Sequence, residues 1–194
     1  LGQAGFAGDI ECLHIIQETL SYLGLKDIKI EMSSAKFYKR LCELVDDTSF
    51  VDILKKRDLS SMKILIDRKG IQSPLKDLLI QLPRCFGDIA MLNQMIMMIQ
   101  DQQLKDALLE LRDLYDKLEK KEFFSFDLAM TPSMKYYTGI IIKGYSPYSA
   151  DTIINGGRYD KLMDHFHKVV PAIGFSYDLS HILKALEKEE ENNA

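Results

Sequence analysis

The chain has 194 residues, 46% of them hydrophobic and 28% charged, which suits one medium domain or a domain carrying a sizeable insertion. A net charge of −4 and a pI near 5.6 leave no basic surplus to displace counterions from a polyanion, so a dedicated nucleic-acid binder is disfavoured. The richest apolar stretch, Ile89–Ile99, falls short of the roughly 20 residues of a membrane span and is interrupted by Asn93 and Gln94, so no membrane partner is expected. The cysteines Cys12, Cys42 and Cys85 show no paired spacing and fit small buried side chains in a reducing cytosol.

The chain opens at Leu1 in mid-pattern and reads as the later part of a longer polypeptide. The glycine-rich Gly2–Gly8 reads as the end of a strand or loop. Asp9 is expected to cap a helix whose apolar positions Ile10, Leu13, Ile16, Leu20 and Leu23 step by three and four, with Gly24 as its stop. Ile28, Ile30 and Met32 alternate with charged residues as a half-buried strand.

From Ser33 to Lys121 the pattern is nearly all helical. Ser33-Ser34 cap a helix with Phe37, Leu41 and Leu44 on one side, and Val51 with Leu54 marks a short one. Ser60-Ser61 precede a helix over 62–66, Ser73-Pro74 start another that Pro83 ends, and Asp88 caps a helix to Ile99. Leu104, Leu108, Leu111, Leu114, Tyr115 and Leu118 form the most regular stripe. Residues 33–121 therefore read as an inserted helical subdomain, between core segments 1–32 and 122–194. Its methionines Met91, Met95, Met97 and Met98 fit core or interface filling, and Lys55-Lys56-Arg57 a solvated helix face.

Phe124, Phe126, Leu128 and Met130 alternate as a strand, Tyr136–Tyr145 as a second and Thr152–Ile154 as a third, with Asn155-Gly156 as a turn. A helical turn over 159–166, a strand over Val169–Phe175 and a helix capped by Asp178 follow, and Glu187–Ala194 reads as a frayed acidic tail. Strands in hairpin-like succession with helices outside imply α+β with a mostly antiparallel sheet.

His165-x-His167 makes a poor metal set with only Asp160 and Asp164 nearby, and Ser133, Ser146 and Ser149 lack a hydrolase context. The glycines form neither a dinucleotide fingerprint nor a phosphate-binding loop, so no metal, cofactor or catalytic residue is expected. The residues do suggest a ligand held flat against a sheet. Glycine lets the backbone approach it, and tyrosines offer a face and a hydroxyl. Core aromatics with simple turns would give the same pattern.

Tyr136-Tyr137-Thr138-Gly139, then Gly156-Gly157-Arg158-Tyr159-Asp160-x-Leu162, then Pro171-Ala172-Ile173-Gly174-Phe175, resemble the histidyl-tRNA synthetase catalytic domain, a class II synthetase fold. Gly2-Gln3-Ala4-Gly5 is similar to the tail of that family's second class motif, and Leu82-Pro83-x-x-x-Gly87 to its inserted domain. The first class motif and most of the second, which supply much of the family's dimer interface, are absent from these residues. The resemblance implies a histidine-binding site made by Gln3, Tyr136, Tyr137, Gly156, Gly157, Arg158 and Tyr159. It also implies a self-dimer.

Departures from the ligase pattern point to one branch. The ligase carries an arginine where this chain has Pro132 and a phosphate-clamping arginine where it has His181. Asp178 replaces a glycine that leaves room for the nucleotide. Losing one such transition-state partner costs about 2.7–4 kcal/mol, so adenylate formation is not expected. A synthetase-like domain without that chemistry resembles the regulatory-subunit family of ATP phosphoribosyltransferase, which partners a short catalytic subunit and transmits feedback inhibition by free histidine. A divergent histidine–tRNA ligase is the alternative.

Overall fold

A computed structural model describes residues 1–193 other than 163, 165, 166 and 169. His165, Val169 and part of the expected 159–166 turn therefore lie outside the described residues. Helices α1 (Phe6–Leu23), α2 (Ala35–Val45), α3 (Phe50–Lys56), α4 (Leu59–Lys69), α5 (Leu75–Gln81), α6 (Ile89–Met98), α7 (Gln102–Asp116) and α8 (Leu179–Asn193) accompany six strands. The strands are β1 (Lys29–Ser34), β2 (Phe86–Gly87), β3 (Phe124–Asp127), β4 (Ile140–Tyr145), β5 (Ile154–Arg158) and β6 (Ile173–Tyr177), ordered β2-β3-β1-β4-β5-β6. β2 pairs with β3, β4 with β5 and β5 with β6, each antiparallel, as expected of an α+β fold. Among the described residues no helix is long and apolar enough to cross a membrane.

Two compact units divide the chain, one made of residues 1–32, 114–125 and 136–194, the other of 33–113 and 126–135. In the first, Leu13, Ile16 and Leu20 of α1 are fully buried, each contributing roughly 1.5–3 kcal/mol of burial. Gly24 ends α1 in the left-handed conformation, its cap N–H donating to the carbonyls of Leu20 and Ser21. The helix begins at Phe6, earlier than its sequence suggests, so Asp9 sits in the first turn rather than at the cap.

Three further departures concern this unit. Asn155-Gly156 is not a turn but the middle of β5, where Asn155 pairs with Ser176 and Gly156 with Phe175. β4 begins only at Ile140, leaving Tyr136 and Tyr137 in the turn before it. The acidic tail is helical through Asn193, and Glu189 is buried. Its carboxylate accepts hydrogen bonds from the backbone N–H groups of Lys26 (2.9 Å) and Asp27 (3.0 Å), in the loop after α1.

In the second unit Phe37, Phe50, Leu54, Met62, Leu79 and Leu92 form the centre of the core. Asp58 and Asp88 cap α4 and α6 through their side chains. The nearly all-helical stretch includes the two-residue β2, and β3 stops at Asp127, whose carboxylate accepts from Ala129 N–H at 3.1 Å. Arg57 is not simply solvated, because its guanidinium pairs with the buried Asp127 and donates to the Pro83 carbonyl. Met95 is buried as expected, but Met97 is 78% exposed.

Burial, with the Asp127 charge behind it, pushes the Cys85 thiol up to about 11. Cys85 should therefore resist iodoacetamide at pH 8 in the native protein and react as the second unit unfolds, because only roughly one thiol in a thousand is ionised. Peptide mass spectrometry over a denaturant series would read this, and early labelling would contradict it. Replacing Glu189 with alanine should lower stability by about 2 kcal/mol in a urea titration followed by circular dichroism. An unchanged midpoint would mean water replaces the carboxylate without loss.

Candidate functional site

The three glycine-punctuated segments meet around β5. Thr138 N–H donates to the Arg158 carbonyl (2.7 Å), Tyr159 N–H to the Ala172 carbonyl (2.7 Å), and Asp160 N–H to Thr138 Oγ1 (3.0 Å). Asp160 Oδ1 accepts from Ala172 N–H at 3.0 Å, and Gly2 N–H donates to the Pro171 carbonyl at 2.8 Å. Segments far apart in sequence are thus fixed to one another by backbone N–H groups that donate to carbonyls and to the side chains of Thr138 and Asp160.

Tyr136, Tyr137 and Tyr159 form an aromatic cluster. Tyr136 lies 5.1 Å from Tyr137 and 5.8 Å from Tyr159, the latter edge-on, distances at which ring quadrupoles attract. Tyr137 is 7% exposed and Tyr136 37%, so one ring backs the cluster while the other faces outward. Burial raises the Tyr137 hydroxyl above its ordinary pKa, with Tyr136 and Tyr159 adding to the effect, so it remains a hydrogen-bond donor at neutral pH.

Gly157 permits a close approach of β4 and the Tyr137 ring. A Cβ there would stand 2.5 Å from the Ile140 carbonyl oxygen and 2.7 Å from the Tyr137 ring, and its φ of 155° is itself unfavourable for other residues. Gly156 lies equally close to Phe175 on β6.

Arg158 is the hub. Its side chain is 6% exposed, with Nε donating to Asp9 Oδ1 (2.8 Å), Nη1 to Asp160 Oδ1 (2.9 Å) and Nη2 to the Gly5 carbonyl (2.7 Å). Nη1 also reaches the Gln3 carbonyl at 3.4 Å. The side chain passes between two glycines, because a Cβ at Gly139 would lie 3.0 Å from its Cδ and one at Gly8 3.3 Å from Nη2. Burial works against the guanidinium charge, but the bonds to Asp160 and Asp9 outweigh it and hold the group above its ordinary pKa. A cation beside the positive end of α1 would be repelled alone, and Asp9 in the first turn offsets both charges.

The seven residues expected at a ligand site are thus distributed unevenly in role. Tyr136, Tyr137 and Tyr159 form one cluster, Gly156 and Gly157 line the strand behind, and Gln3 is exposed and tied through its backbone. Asp9, which sequence reasoning assigned to a helix cap, and Thr138 complete the constellation. The signal for Asp9 was its charge in an otherwise apolar helix turn.

At the start of α8, Asp178 caps the helix by accepting from His181 N–H at 3.2 Å. His181 Nδ1 lies 3.3 Å from Asp178 Oδ2, and Nε2 lies 3.9 Å from Asp151 Oδ2. The imidazole stands between two carboxylates, a setting that repels phosphate oxygens. Among the described residues no group of three or more His, Cys, Asp or Glu is placed to hold a metal ion.

A family model described as histidyl-tRNA synthetase matches residues 1–182. The ATP phosphoribosyltransferase regulatory subunit of Lactococcus lactis subsp. cremoris (strain SK11) is 36% identical over 97% of this chain and 60% of its own length. The chain therefore spans about three fifths of that relative. The solved structure titled as an ATP phosphoribosyltransferase regulatory subunit/histidyl-tRNA synthetase from Bacillus halodurans C aligns with a TM-score of 0.82 at 25% identity, covering 95% of this chain and 51% of that one. The ATP phosphoribosyl transferase complex from Thermotoga maritima aligns at 0.68 and 16% identity over 91% and 62%, a likeness of fold alone. The sheet and its flanking helices thus have the class II synthetase-like fold.

Replacing Gly157 with alanine should destabilise the protein by roughly 1–3 kcal/mol, since the new methyl meets backbone on one side and a buried ring on the other. A denaturation midpoint equal to that of the unaltered protein would show that β4 and β5 can separate freely.

Proposed function

Because the chain belongs to the histidyl-tRNA synthetase family, we propose that it is the synthetase-like part of a regulatory subunit of ATP phosphoribosyltransferase, itself without catalytic activity. The observation that carries this reading is the 36% identity, over 97% of the chain, to a protein named as that subunit. In this reading the protein acts in histidine biosynthesis in the cytoplasm, partners the short catalytic subunit in a hetero-oligomer and self-associates as a dimer. The synthetase-like core is 1–32 with 122–194, and 33–121 is an insertion within it.

The site's chemistry agrees with sensing rather than adenylation. His181, at the position where the ligase resemblance calls for a phosphate-clamping arginine, is shorter than arginine and stands between Asp178 and Asp151. Pro132 supplies no cation at the other expected position. A nucleoside triphosphate would thus meet carboxylates where the ligase offers guanidinium groups. Free histidine binds in this reading at the cluster of Tyr136, Tyr137 and Tyr159, with Gly156 and Gly157 allowing close approach and Gln3 contributing from the first segment. Inhibition then follows by linkage, histidine favouring one state of the complex over another.

The second reading, a divergent histidine–tRNA ligase, has the family model on its side. One experiment separates the two. The short catalytic subunit is assayed with ATP and phosphoribosyl pyrophosphate, with and without the full-length protein, and then with histidine. Activity that requires this protein and falls with added histidine is the expected result. Histidine-dependent pyrophosphate exchange by this protein alone, without any activation, would establish the ligase instead.

A further inference from the structure

We infer that Arg158 and Asp9 are positioning residues for the proposed histidine site, fastening the Gln3 segment to β5, and that Arg158 makes no ionic contact with the ligand's carboxylate. This rests on the histidine-site reading above and changes the role that an arginine beside a ligand pocket would ordinarily be given.

The geometry leaves the guanidinium little to offer an anion. Each of its three nitrogens is engaged, and four of its five N–H groups point at Asp9, Asp160 and the carbonyls of Gln3 and Gly5. One positive charge faces two negative ones, so the cluster repels a further carboxylate rather than attracting it. Access is closed as well, because the side chain is 6% exposed and Gly139 and Gly8 approach it from two sides.

What Arg158 does hold is backbone. Residues 1–7 are exposed, and their described links to the rest of the unit are few. Gly2 N–H bonds the Pro171 carbonyl, and the carbonyls of Gln3 and Gly5 accept from Arg158. Asp9 fixes the guanidinium from the helix side and Asp160 from the strand side, so the fork has one orientation. Gln3 is therefore placed relative to Tyr159 through a chain of charge-assisted bonds, and loosening any of them moves a side chain that the ligand needs.

The test is calorimetric titration of the full-length protein with L-histidine and with histidinol, which keeps the imidazole and the amine but lacks the carboxylate. The variants are Arg158→Lys, Asp9→Asn and Asp9→Glu, each measured below its own unfolding midpoint. Positioning predicts that Arg158→Lys and Asp9→Asn weaken both ligands by the same factor, roughly tenfold to a hundredfold, the usual consequence of losing charge-assisted bonds. Asp9→Glu, which keeps the charge, should recover part of the loss. Selective loss of histidine with histidinol unaffected would overturn the inference in favour of a direct ion pair. Unaltered affinity for both ligands in folded variants would overturn it in favour of a purely structural pair.

If Arg158→Lys does not fold, Asp9→Asn alone carries the comparison. If the unaltered protein takes up neither ligand, the histidine-site reading fails, and amide hydrogen exchange over residues 2–9 decides the tether separately. Faster exchange there in the variants, with the second unit unchanged, supports it, and unchanged exchange overturns it.

Discussion

A buried guanidinium must be answered by charge, and in this protein that requirement organises the first unit. Arg158 emerges from the end of β5 into a space nearly closed to solvent, and two carboxylates from different parts of the chain converge on it. Removing one partner from such a group typically costs about 3–5 kcal/mol, because a charge is left without compensation. That penalty ties the position of α1 to the position of β5. It also accounts for the small residues alongside, since any side chain at Gly139 would occupy the path of the arginine stem. Tyr159, of the tyrosine cluster, directly follows Arg158 in the chain and is placed with it.

Much of the fold could be read from the sequence because its signals are local. The stripe of α1, the Asp88 cap of α6 and the glycine stop at Gly24 depend on neighbours within a turn. The misreadings share the opposite character. Asp9 looked like a cap because its actual partner, Arg158, is 149 residues away. Asn155-Gly156 carries a turn signature, but Gly156 is there to let Phe175 come close, a demand that only the paired strand makes visible. Glu189 looked like part of a solvated acidic run because the N–H groups it serves belong to a loop at the other end of the chain. For the proposed site, the sequence offered candidate residues through the family resemblance. What it could not offer is which atoms of Arg158 are already occupied, since those partners lie far away in the chain.

The family scaffold separates two properties that the ligase combines. A site that recognises an amino acid needs shape, aromatic faces and fixed hydrogen-bonding groups. A site that activates one needs cations held where phosphate charge develops. In the proposed reading the tyrosine cluster belongs to the first set, and the surroundings of His181 depart from the second. In that reading a few substitutions at the ends of elements remove the reaction while leaving the sheet and its pairings intact, and one fold serves both chemistry and control.

The carboxylate of Glu189 also bears on the order in which the chain acquires its structure. The loop at Lys26 and Asp27 is completed by a residue made more than 160 positions later, and Gly2 is paired with Pro171 in the same way. During synthesis the first helix therefore leaves the ribosome well before its partners exist. Residues 33–113, by contrast, hold most of a compact unit of their own and need only the short segment 126–135 to finish it. Residues 33–113 can thus settle while α1, which packs against β6, still lacks that strand. Such an interval is when an aggregation-prone surface is open, and its length is set by topology rather than by the stability of the finished protein.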